Sequence, residues 1–224
     1  MRPIFYAIFL VSSLVQCVSL NQNDDNTIYK VGDISFYSVT FLDSLGLVEK
    51  IDTLRMEVTN GFYPERKQTR IDYYYRQHNY KEVIEYNSWT GVIDSEDYFF
   101  IHPPRVGDLN VLSFSEFPRI NNTFLDSLNQ YSYEGEMIMS KHFNGKLIKK
   151  VNTSQKYLGK TAIELKNYGR IRVHRSYSIA KSNLGVIVGD YFFSEKLGFV
   201  QLDYTLPRGK KILIERIKVF QNQL

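Results

Sequence analysis

The chain has 224 residues, ample for one domain with a sizeable core, and its 17 Tyr and 15 Phe against a single Trp favour strands over helices. The formal charge of +4 is unevenly placed: residues 20–140 carry 10 Lys/Arg against 19 Asp/Glu, and residues 141–224 carry 17 against 5. The lone cysteine, Cys17, lies in the N-terminal apolar run, which excludes a disulfide framework and leaves the body without a thiol nucleophile.

Met1-Arg2 followed by the apolar run 4–15 has the layout of a secretory signal, and the run is short for a membrane span. Two processing routes fit. Cys17 and Ser19 are small residues suited to cleavage before Leu20, and Leu14-Val15-Gln16-Cys17 resembles a bacterial lipobox with Cys17 as the lipid-modified residue. Gln16 departs from the small residue usual there. An uncleaved anchor is the third reading. The predicted organisation is a signal over 1–19, a polar tether over 20–27 and one β-rich domain over 28–224.

Within the body, 28–39 has strand character, and Thr40-Phe41-Leu42-Asp43 resembles a capping box for a short helix or turn. Its six residues 40–45 recur as 123–128, with flanks that do not align, so they read as two similar turns rather than a repeat. Residues 54–59 alternate and end at Asn60-Gly61, a favourable turn dipeptide. Residues 70–75 and 83–89 are further strands. An acidic turn at 94–97 precedes aromatic 98–101, after which Pro103 and Pro104 must take the chain out of the sheet. The irregular stretch 106–122 predicts a long loop crossing an open face.

Beyond residue 131 the strands are plainer: 131–139, 147–153, 161–165, 170–178 and a closing meander over 185–217. Breaks are expected at Asn144-Gly145, Gly159, 167–169 and 183–185. The fold class that follows is mainly β: one strongly curved antiparallel sheet, an open barrel or half-barrel of about ten strands, with minor helix. The acidic and basic halves predict oppositely charged strands lying side by side and pairing.

Trp89, then Phe99-Phe100-Ile101-His102-Pro103-Pro104-Arg105, Phe117-Pro118 and the hairpin over 191–205 resemble exported proteins of Gram-negative envelopes, over roughly Glu57 to Arg216. More remotely, that family is similar to the open β-half-barrels of the LolA/LolB lipoprotein-carrier type. Such proteins hold acyl chains on a curved sheet, so the resemblance implies location and fold more than activity. Similar proteins carry a Gly and paired Trp residues after the Phe-Pro, and 121–133 here carries neither.

Catalytic patterns are thin. The four histidines (His78, His102, His142 and His174) are dispersed, with no His-Glu-x-x-His pair, no Gly-x-Ser-x-Gly elbow and no phosphate-cradling glycine loop. His102 with Asp94, Glu96 and Asp97 could approach a metal, but an acidic hairpin turn explains them more simply. No enzyme, metal or cofactor is expected. Arg170, Arg172 and His174 share one face of a strand, a basic stripe near Tyr177 of a kind that contacts phosphate. An exported protein seldom meets nucleic acid, so a solvated strand face or anionic lipid headgroups are the expected readings, and nucleic acid is not. Tyr73, Tyr75, Trp89 and Phe99, with Arg170 and Arg172, are the candidate contacts for a lipid or other hydrophobic ligand. An envelope-protein partner is the alternative role, and membrane association is expected only if Cys17 is lipidated. The expected location is the periplasm, the outer membrane or the cell exterior.

Overall fold

The computed structural model describes residues 28–77, 84–95, 97–121 and 132–217; the signal, the tether, Cys17, His78, Glu96 and the recurrence at 123–128 lie outside them. The described residues form twelve strands: β1 (Ile34–Leu42), β2 (Val48–Tyr63), β3 (Gln68–Gln77), β4 (Ile84–Asp94), β5 (Tyr98–Ile101), β6 (Arg119–Asn121), β7 (Ser132–Phe143), β8 (Lys146–Leu165), β9 (Gly169–Ser182), β10 (Gly185–Ser194), β11 (Gly198–Thr205) and β12 (Lys211–Ile217). All belong to one antiparallel sheet ordered β6-β5-β4-β3-β2-β1-β12-β11-β10-β9-β8-β7. Two six-strand meanders thus join at the β1–β12 ladder, and β6 and β7 are left as the outer edges.

Alternation sets the faces. In β1, Ser35, Tyr37, Val39 and Phe41 point inward and are buried, while the residues between them are partly exposed. Three bulges bend the longer strands: in β2 between Val58 and Phe62, in β7 between Ile138 and Lys141, and in β8 between Tyr157 and Gly159. A bulge adds twist and lets a wide sheet curl. The curl brings the edges together without a ladder: Gln155 of β8 donates to the Arg119 carbonyl of β6 at 2.8 Å, and the Arg119 guanidinium sits over the Tyr133 ring of β7. This is the half-barrel expected from the sequence, with twelve strands in place of about ten.

The segment between β5 and β6 fills the concave side. His102 to Arg105 leaves the sheet at the two prolines, and a 3-10 helix over Gly107–Phe114 then crosses the interior. Leu109, Val111, Leu112 and Phe114 are buried in the same core as Tyr73, Tyr75 and Tyr191. Both ends of this plug are tied to the sheet. Asp108 accepts from Lys50 of β2, and from Gln77 of β3 at 2.7 Å; the Glu116 carbonyl accepts from Tyr191 of β10 at 2.6 Å. The plug therefore bridges the two meanders. The loop expected to cross an open face is present, and its apolar side is core.

Other expectations change. Asn60-Gly61 sits in the β2 bulge rather than a turn, and Gly159 (φ +95°) sits in the β8 bulge, which joins 147–153 and 161–165 into one strand. Thr40 ends no helix; it lies in β1, and Asp43 accepts from the backbone N–H of Leu45 and Leu47 in the following turn. Asp94 of the acidic turn is buried and accepts from the backbone N–H of Ile28 and Tyr29, anchoring the start of the domain. The basic strands β8–β12 are neighbours, and acidic and basic segments meet where this block ends, at β7, whose Glu136 pairs with Lys150 of β8, and at β1. Lys210–Glu49, at 2.6 Å, joins them beside the β1–β12 ladder.

Candidate functional site

The half-barrel stays open along part of its seam. β5 pairs with β4 only at Val92, Ile93 and Asp94, because the prolines after His102 divert the chain. The preceding part of β4 therefore presents an edge, and β7 presents the facing one. Along the β4 edge lie two depressions that share Trp89 and Arg105, the second of which reaches β7. One, of about 420 Å3, is lined by Tyr63, Glu65, Gln68 and His102 with those two. The other, of about 410 Å3, adds Ser88, Ser113, Phe117, Met139 and Lys141. Each is within the size range of small-molecule sites.

Trp89 is 63% exposed and stacked on Tyr63, with ring centroids 6.2 Å apart and planes 15° apart. Arg70, itself held by Asp72 at 2.8 Å, lies 5.5 Å from the Trp89 ring centroid. Arg105 donates to Thr90 Oγ1 at 3.1 Å and lies over the Phe117 ring at 5.6 Å. Lys141 donates to Asn110 Oδ1 at 2.7 Å and to Ser113 Oγ at 2.8 Å. Burial, and then the nearby charge of Arg105, lower the pKa of Lys141 below its ordinary value. The groove thus combines an aromatic wall, a methionine, two cations and the Glu65 carboxylate.

Of the six candidate ligand contacts, Trp89 alone reaches this groove. Tyr73, Tyr75 and Phe99 are buried core residues. Tyr73 donates to the His102 carbonyl at 2.9 Å, Tyr75 donates to Asp52, and Phe99 packs on Phe193 with centroids 4.5 Å apart. The void beside Tyr73 is about 10 Å3, room for about one water. The plug covers what would otherwise be a concave platform.

Arg170 and Arg172 are exposed on the far part of the β8–β9 hairpin, where it runs past the ends of β7 and β10. The opposite face of that extension is apolar: Leu165 and Val173 pack on Phe192 and Val200 as a second small core. Arg172 also lines a separate cleft of about 1080 Å3 with Lys160, His174, Glu195 and Lys196. His174 continues the Arg170–Arg172 face but is buried, bonded to Tyr157 Oη at 2.8 Å and to Glu195 at 2.6 Å.

The bond from His174 holds the Glu195 carboxyl below its ordinary value of 4.5, against a smaller opposing effect of burial. A carboxyl depressed in the folded state lends stability that is complete above its unfolded value and is lost as pH falls through the folded one. The E195Q variant is therefore expected to be less stable than wild type at pH 7, by about 1 kcal/mol or less for so exposed a group. In urea unfolding the gap narrows as pH falls below about 4.5; a gap unchanged by acid would show that the carboxylate charge is not what matters.

Arg105 and Phe117 belong to the His-Pro-Pro-Arg and Phe-Pro motifs, which read as turns, while Lys141 and Met139 look like ordinary strand residues. Among the described residues no group of three His, Cys, Asp or Glu is placed to hold a metal ion, and no helix is long and apolar enough to cross a membrane.

No family model matches the chain, and no curated protein matches it. Two of the solved structures that are similar to it follow. One is a candidate lipoprotein from Parabacteroides distasonis, at 11% identity and a TM-score of 0.45, covering 84% of this chain and 95% of the other. The second is a candidate exported protein with a YmcC-like fold from Bacteroides fragilis, at 10% identity and a TM-score of 0.46, covering 86% and 99%.

Proposed function

We propose that the chain is an exported, non-catalytic binding module that takes a ligand with a flat apolar face in the seam groove. The observation that carries this reading is Trp89, exposed and backed by Tyr63 at the wall of an open depression. Large aromatic rings with one free face are what apolar ligand surfaces stack on. The filled interior argues for the seam over the concave face as the ligand's seat. Export is supported by the basic start and short apolar run at the N-terminus.

Absence of catalysis is supported by the groove's polar groups. Ser113 and Lys141 are 2.8 Å apart, but Ser113 is only 5% exposed and its hydroxyl points to Asn110. A serine nucleophile needs to be presented to substrate, and this one is not.

The chain's single tryptophan makes the test direct, because intrinsic emission reports on the groove. Titration with N-phenyl-1-naphthylamine, a neutral flat probe, is expected to quench Trp89 saturably with one site. W89A is expected to weaken probe binding, read from the probe's own emission, by about tenfold or more, as for a truncated aromatic anchor. Its urea midpoint stays near wild type, since the side chain is largely in solvent. Probe affinity unchanged in W89A would overturn the groove as the ligand seat.

A further inference from the structure

We propose that the free edge of β4 takes up an extended peptide by strand addition, its backbone bonding to Asn87 and Trp89 in the row that β5 vacates after Ile101. The inference rests on the groove being the ligand seat and names the ligand's class: a polypeptide segment with a side chain that supplies the apolar face against Trp89.

Strand geometry decides where β4 aims its backbone. The Gly91 carbonyl accepts from the His102 N–H at 3.2 Å, so the polar backbone groups of Gly91 face the β5 row. Alternate residues of a strand face the same neighbour, which turns the N–H and C=O of Trp89 and Asn87 the same way. β5 pairs only with Val92, Ile93 and Asp94, and the ladder to β3 runs on the other side of β4. Among the described residues no strand pairs with Asn87 or Trp89 in the β5 row. Donors and acceptors repeating at strand spacing are matched by another peptide backbone.

The two edges that border the seam differ. β7 carries two devices that blunt an edge: a bulge between Ile138 and Lys141, and a charged side chain, Lys141, turned inward to the plug. Over 84–90, β4 has neither. Its ladder to β3 has no register shift, and its inward-facing Tyr86, Ser88 and Thr90 are uncharged. Asn87 and Trp89 turn exposed side chains outward. A residue beside Trp89 in the vacated row sets its side chain against that ring, where aromatic and β-branched partners pair well. The residues on either side of it turn toward Phe117 and Met139 of the groove. Because β7 borders the same depression, the seat fits a single extended segment and excludes the edge of a second folded sheet. The occupant is therefore a strand-forming peptide with an aromatic residue flanked by apolar ones.

The test uses the blocked peptide acetyl-Thr-Val-Tyr-Val-Thr-amide and its analogue N-methylated at every residue, which keeps each side chain and loses each backbone donor. Both are titrated into the full chain and read by Trp89 emission. N-methylation is expected to weaken binding about tenfold or more, from the loss of two backbone bonds. N87P removes the N–H that faces the vacated row and leaves the ladder to β3, a placement that edge strands tolerate. It is expected to weaken the parent peptide by about tenfold and to leave N-phenyl-1-naphthylamine bound. Far-UV circular dichroism of N87P checks the fold, and the methylated analogue tests the same bonds in the wild type. Equal affinity of the wild type for the two peptides would overturn strand addition and leave the groove reading standing. So would failure of the parent peptide to bind where the neutral probe still quenches Trp89. A wild-type dimer in analytical ultracentrifugation that N87P dissociates would put a second copy at this edge and overturn the inference as well. If neither the neutral probe nor either peptide changes Trp89 emission, the groove reading itself falls.

Discussion

Replacing Asp52 by alanine is expected to lower stability by about 3–5 kcal/mol, the usual cost of removing one member of a buried charged pair. The Asp52 side chain is fully buried and accepts from Lys50 Nζ at 2.7 Å and from Tyr75 Oη at 2.5 Å. Lys50 also bonds Asp108 at the start of the plug and lies over the Phe41 ring at 4.2 Å. Burial by itself would lower the Lys50 pKa, but its bonds to Asp108 and Asp52 outweigh that and raise it. Burial, reinforced by Asp52, pushes the Tyr75 hydroxyl up. One carboxylate thus compensates a cation and a phenol that the curled sheet takes out of water. The D52N variant keeps an acceptor oxygen for Tyr75 and removes only the charge, so its loss is smaller, about 1.5–3 kcal/mol. Urea unfolding followed by Trp89 emission and by far-UV circular dichroism measures both. A loss below about 1 kcal/mol in D52A would mean that Lys50 swings to Asp108 and water, and that the network is not structural.

Alternation made most strands legible because a half-buried strand must turn every second side chain inward. The turns at Asn144-Gly145 and Asn183–Gly185 also hold, with Asn144 and Gly145 both at positive φ as a tight hairpin requires. Glycine was ambiguous where bulges occur. The positive φ that suits Gly159 to a turn suits it equally to a bulge, and local sequence does not separate the two. Tyr73, Tyr75 and Phe99 show a related limit. Periodicity tells which face a ring is on, but what covers that face is decided by 106–116, which has no strand or α-helical period of its own. Trp89 is the converse case. Its pattern matches its neighbours in β4: the register opposite Asp72 turns it to the outer face of the sheet, and it borders a groove where the β5 ladder ends at Pro103 and Pro104. The cations beside it meet only when the sheet curls, so no local motif announces them.

Replacing Phe114 by alanine is expected to be about as costly as D52A, at about 3–5 kcal/mol, and to change what the protein can bind. Phe114 is 1% exposed and meets the Phe143 ring edge-on with centroids 5.4 Å apart. It lies at the end of the plug's 3-10 helix, between ties to β2 and β3 on one side and to β10 on the other. Those ties act through Asp108 and the Glu116 carbonyl and do not involve the ring, so the plug is expected to stay in place around the space left behind. A buried space lined by apolar side chains stays dry and accepts apolar molecules. In F114A, N-phenyl-1-naphthylamine is therefore expected to gain a second site that persists when W89A is added, whereas the wild type shows only the groove. The concave side of the sheet would then be a space that this chain's own 3-10 helix fills. If F114A loses stability without gaining that site, the plug has collapsed inward, and a smaller loss for L112A than for F114A would follow from the same relaxation. If F114A costs less than about 1 kcal/mol, the plug is not part of the core, and the concave face returns as a place for ligand.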